Sequence, residues 1–154
     1  NTALEYYKRS LKIQEELGDK AGMGLTLGNI GSVHYNRGEY SSAAEHLEKS
    51  LAIQKGIGFK ATELLTNTHL YLSYRHLGKD YDEQDIHRLI KDAEKIEFEL
   101  NFRLYQLLDD TSYLKIAYTQ VQDEASVMEK ELAEKLLSYP IPKAIVEEWE
   151  KLNN

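Results

Sequence analysis

The stretch SLKIQEELGDKA at residues 10–21 returns as SLAIQKGIGFKA at residues 50–61. Ser, Leu, Ile, Gln, Gly, Lys and Ala keep their places across a spacing of forty residues while the positions between them drift. Self-similarity at a fixed period of this size marks a repeat architecture, in which one supersecondary unit covers the apolar face of the next.

Working outward from the two copies, the units read as helices. Thr2 to Glu5 and Ser42 to Glu45 both spell S/T-x-x-E, the pattern in which a hydroxyl and a carboxylate satisfy free N–H groups at a helix start. Leu4, Tyr7 and Leu11, and then Ala44, Leu47 and Leu51, recur at steps of three and four and draw one apolar stripe per helix. Gly18 and Gly58 are placed to turn the chain after those helices. The only prolines are Pro140 and Pro142, and strand-type alternation is nowhere sustained. An all-α fold of antiparallel helical hairpins is expected.

Composition narrows the function. The 154 residues contain no cysteine, so thiolate metal sites, disulfides and cysteine nucleophiles are absent, and a reducing, cytoplasmic setting is expected. No apolar run approaches the roughly 18 residues of a membrane helix, so no membrane association is expected. Residues 1–60 carry 8 basic and 7 acidic side chains, whereas residues 61–154 carry 11 and 19. That balance argues against nucleic acid, whose phosphates need a basic footprint, and favours a basic peptide as electrostatic match.

Between the two copies lies LGNIGSVHYNRGEYSSAAEHLEKSLAI, residues 27–53, which resembles a tetratricopeptide repeat. Leu27 stands at that repeat's large first position, Ile30 and Gly31 at its Leu-Gly pair, and Gly38 and Tyr40 in its inter-helix turn. Ala43 and Leu47 fall at its small and large core positions, and Ser50 at its second alanine. Small residues at Gly31, Ala43 and Ser50 let two helices approach and cross. Two departures stand out: His34 replaces the usual tyrosine, with Tyr35 beside it, and no proline closes the repeat. The forty-residue unit resembles the long-helix subclass, with HEAT-type repeats as the competing reading at this period.

A second unit, ELLTNTHLYLSYRHLGKDY at residues 63–81, keeps Leu70, Tyr74 and Gly78 in register, but Tyr71 and Gln84 replace small residues. The resemblance implies one domain over 1–154, stacked as a right-handed solenoid. Residues 1–81 form clear repeats, 82–123 degenerate hairpins and 124–154 a helical C-terminal cap. EFELNFRLYQLL at 97–108 is apolar on nearly every side and is expected to be the most buried helix. Further helices are expected near 124–138 and 142–152, with Pro142 in a first turn.

Chemistry is sparse. His69 and His76 share a helix face two turns apart, wider than zinc helices prefer, and no third ligand declares itself, so no metal is expected. Asp109 and Asp110 precede Thr111 at a helix start and read as capping residues, not an acid–base pair. The glycines at 22, 24, 28 and 31 lack the preceding strand of a phosphate loop. No cofactor, no catalytic residue and no enzyme activity are expected.

The resemblance implies instead a concave groove lined by the first helices of successive repeats, here Leu25, Gly28, Asn29, Ser32 and Asn36, then Thr68, His69, Leu72, Arg75 and His76. Its occupant would be a peptide or helix of a protein partner. Asn29 draws most interest, because its amide can bond both N–H and C=O of a peptide backbone. The clustered Lys and Asn of the carboxylate-clamp type are not matched. The expected function is an interaction scaffold within a larger regulatory or signalling protein. The alternative is a peptide-sensing domain resembling bacterial peptide-pheromone receptors. The sequence opens inside a repeat, so self-association through the apolar side of the first helix is a further expectation.

Overall fold

In the computed structural model, which describes residues 2–154, the described residues form nine α-helices and no strand. It divides into two compact units, Asn1–Ala93 and Glu94–Asn154, with the boundary inside the 82–123 stretch.

The first unit holds α1 (Thr2–Leu17), α2 (Lys20–Asn36), α3 (Tyr40–Gly56), α4 (Glu63–Leu77) and α5 (Glu83–Asp92), each packed on its neighbour, with α2 also reaching α4. That is the hairpin plan of the repeat. The turns are set by glycine: Gly18, Gly38, Gly58 and Gly78 all have φ near +70°, a conformation that costs glycine little, and they fall every twenty residues. Gly31 sits so close to α3 that a Cβ would meet Leu47 Cγ at 2.5 Å. Ile30, Ala43, Leu47 and Leu70 are all buried in this unit.

Polar side chains run through the same interior. Ser50 Oγ donates to Gly24 O at 2.6 Å, and Gln54 Nε2 donates to Ser50 Oγ at 3.0 Å and to Thr66 Oγ1 at 3.1 Å. The repeated Ser and Gln of the opening stretch thus join α2, α3 and α4 from within.

Where the second unit of the repeat degenerates, the reason is steric. Tyr71 occupies the place of a small residue; its hydroxyl donates to Asp85 Oδ2 at 2.7 Å and its ring stacks on Tyr81 at 5.0 Å. A helix held off by a tyrosine cannot cross as closely as α3 crosses α2, and α5 is only 10 residues long.

The second unit holds α6 (Phe98–Leu108), α7 (Thr111–Ser126), α8 (Lys130–Ser138) and α9 (Pro140–Asn153). Phe102, Leu114, Ala117, Val121 and Ile145 form its core, with Tyr118 and Trp149 stacked at 5.2 Å beside it. Ile96 O accepts from both Asn101 Nδ2 and Gln120 Nε2, tying the entry of α6 to α7. Asp110 caps α7 as expected, accepting from Ser112 N at 2.9 Å. Pro140 and Pro142 both lie in the first turn of α9, and Tyr139 before them is extended, as a residue preceding proline should be.

Three expectations are corrected. The most buried helix is α4, with nine buried residues including Asn67, Thr68 and His69, because α2, α3 and α5 all pack on it. Polar residues on α4 hid that from a hydrophobicity reading. Ser42 does not start a helix: α3 begins at Tyr40 behind Glu39, since the Gly38 turn has already reversed the chain. Thr2 also lies within its helix. The helix expected near 124–138 is split, α7 ending at Ser126 and α8 starting at Lys130.

Candidate functional site

The face expected to bind is carried by α2 and α4, and the two helices present it differently. On α2, Asp19 accepts from Gly22 N at 2.9 Å and fixes the helix start. Leu25, Asn29 and Asn36 are exposed and Ser32 is half-buried, its Oγ donating to Gly28 O. Residues 25, 29, 32 and 36 follow helical spacing, so they make one continuous strip. Gly28 turns inward: a Cβ there would stand 3.2 Å from Ser50 Oγ and 3.7 Å from Thr66 Oγ1. Its part is to admit the buried polar seam.

On α4, Thr68 (0 % exposed), His69 (1 %) and Leu72 (3 %) are buried. Thr68 Oγ1 donates to Leu64 O at 2.7 Å and His69 Nδ1 donates to Leu65 O at 3.2 Å, each a turn back on its own helix. Arg75 and His76 are exposed. His76 lies flat on Tyr40, ring centres 3.9 Å apart, and Tyr35 contacts His69, His76 and Tyr40 with ring centres 5.5 to 6.1 Å away. This aromatic patch at the α2–α3 turn was not singled out in the sequence, although the adjacent Tyr35 and the His69/His76 pair were visible in it. His34 stacks on His46 at 5.2 Å and pairs with Glu39.

Two tyrosines of α4 hold their protons firmly. Burial, then the hydrogen bond to Glu48, pushes the Tyr74 hydroxyl up to about 12; burial and Asp85 push that of Tyr71 higher still. Both hydroxyls therefore remain donors at neutral pH. Among the described residues, no group of three or more His, Asp or Glu side chains is arranged to hold a metal ion. No helix among them is long and apolar enough to cross a membrane.

Helical hairpins closed by small residues, with an exposed polar strip on a first helix, define an α-helical repeat fold. Comparison with known families agrees with this plan: residues 1–56 match the tetratricopeptide repeat family. Curated relatives include the G-protein-signaling modulator 1 of Mus musculus, Rattus norvegicus and Homo sapiens, each 44 % identical over 41 residues. The matched segment covers 27 % of this chain and 6 % of the length of each relative. No solved structure matches.

Proposed function

We propose that this chain is a regulatory interaction scaffold that holds an extended peptide or helix of a protein partner along the α2 strip, without a reaction of its own. The observation that carries the reading is the strip itself: Leu25 offers an apolar contact, and Asn29 one turn away offers an amide to a peptide backbone. Support for a signalling setting comes from the name of the relatives, G-protein-signaling modulator 1, and a cysteine-free chain suits a cytoplasmic one.

A peptide displayed on phage and selected on this chain should, when synthesised, bind Asn29→Ala at least about tenfold more weakly than the wild type, since losing a backbone-directed amide costs roughly 1–3 kcal/mol. The melting temperature of Asn29→Ala should stay within a few degrees. Equal binding by the two proteins, or failure to select any peptide, would overturn the proposal.

A second feature supports self-association. Tyr6, Ile13 and Leu17 form an exposed stripe on α1, respectively 69, 56 and 76 % exposed. Apolar side chains at this density commonly pack against something.

A further inference from the structure

Between α6 and α9, within the second unit, lies a cavity of about 550 Å³ whose lining belongs to none of the tetratricopeptide groove positions. Aromatic surface makes one side: Phe102 and Tyr105, ring centres 6.3 Å apart and inclined by only 22°. Carboxylates make the other: Asp109, Glu147 and Glu148, with Lys143 3.8 Å from Glu147 and Lys151 beside Glu148. Lys151 is 77 % exposed and stands 4.0 Å from Glu148, a loose pair that another cation can replace. Tyr105 Oη donates to Glu148 Oε1 at 2.9 Å, which anchors that carboxylate at the edge of the ring. Arg103 lies over Phe102 at 5.9 Å and bonds Gln106, so one guanidinium already uses an aromatic face of this helix.

We propose that this cavity is a second docking site that takes an arginine side chain of a protein partner. A guanidinium is flat, stacks on aromatic rings and forks onto carboxylates, whereas an ammonium does none of these as well. The field of the surroundings has the matching sign: residues 94–154 carry 13 acidic and 7 basic side chains, against 13 and 12 over residues 1–93. Burial raises the Tyr105 hydroxyl, and the bond and charge of Glu148 and the charge of Asp109 raise it further, so the ring's polar edge stays a donor and the carboxylate stays the acceptor. The site is independent of the α2 strip; the two share no residue, and the failure of either leaves the other intact.

The test is an amide-resolved NMR titration of the whole chain with acetyl-arginine methylamide, beside the lysine and citrulline analogues. Shifts should concentrate at Phe102–Asp109 and Ala144–Lys151. Arginine should bind several-fold more tightly than lysine, and the uncharged citrulline should not bind measurably. Glu148→Gln should weaken arginine binding about tenfold, as expected for losing a charged hydrogen-bond partner. Glu147→Gln, an exposed change, should also weaken it and guards against a folding defect in the first variant. Shifts spread evenly over the acidic surface, equal binding of lysine and arginine, or full binding by both variants would each overturn the assignment.

Discussion

Gly31 lies against Leu47 with room for a hydrogen and nothing more. A methyl group at Gly31 would stand 2.5 Å from Leu47 Cγ and 3.3 Å from Ala43 O, and Leu47 is fully buried. Gly31→Ala should therefore destabilise the chain, because overpacking of about 1–3 kcal/mol exceeds the roughly 0.5–1 kcal/mol that alanine gains inside a helix. Urea unfolding measures the difference. An equal or raised midpoint would mean that Leu47 moves aside freely.

The buried seam should be more sensitive at Gln54 than at its counterpart one period earlier. Gln54 is 1 % exposed and its Nε2 bridges Ser50 and Thr66, whereas Gln14 is only half-buried. Gln54→Ala should cost about 1–3 kcal/mol, and Gln14→Ala clearly less. Gln54 Oε1 has no hydrogen-bond partner among the described residues. Gln54→Met keeps the volume, removes that oxygen and should cost less than the alanine change. If the two alanine variants unfold alike, the seam carries no special weight.

Alkali should find Tyr74. Its folded pKa, about 12, lies above the value near 10 of an unfolded tyrosine, so the fold favours the protonated form. The stabilisation is complete below pH 10 and is lost as pH rises from about 10 to about 12. Tyr74→Phe lacks both the hydrogen bond to Glu48 and this titration. The stability gap between wild type and Tyr74→Phe should narrow across that window, which unfolding series at stepped pH would reveal. A gap independent of pH would remove Tyr74 from the account.

Sedimentation at two protein concentrations tests the α1 stripe. The wild type should shift toward a dimer as concentration rises, and Ile13→Lys with Leu17→Lys should hold it monomeric. Both positions are exposed, so the double variant should melt within a few degrees of the wild type. A wild type that is monomeric throughout would set self-association aside.

How much of this was legible in the residues depends on the kind of signal. The forty-residue echo and the glycine turns announced hairpins because backbone conformation and close crossings restrict residue type strongly. Tyr71 announced a weakened hairpin for the same reason. The burial of α4 could not be read, since Thr66, Thr68 and Ser73 look like surface residues until their hydroxyls find partners inside the fold. Gly28 was read as a groove residue from its register, yet its missing side chain matters to Ser50 and Thr66. The break between α7 and α8 has neither glycine nor proline to mark it. The cavity between α6 and α9 joins residues some forty positions apart, and no local pattern reports such a meeting.

The four left-handed glycines carry one more implication. Because Gly18, Gly38, Gly58 and Gly78 fall every twenty residues, any segment running from just after one of them to the next but one is a closed module with interchangeable ends. Residues 19–58 are such a cassette: their last turn ends in the same backbone geometry as the turn from which they start. A second copy spliced in after Gly58 would meet Phe59 through the same joint and offer a fresh α2 strip one hairpin further along. Length in this architecture can then grow by gene duplication, which lets a short stack come to match a longer peptide.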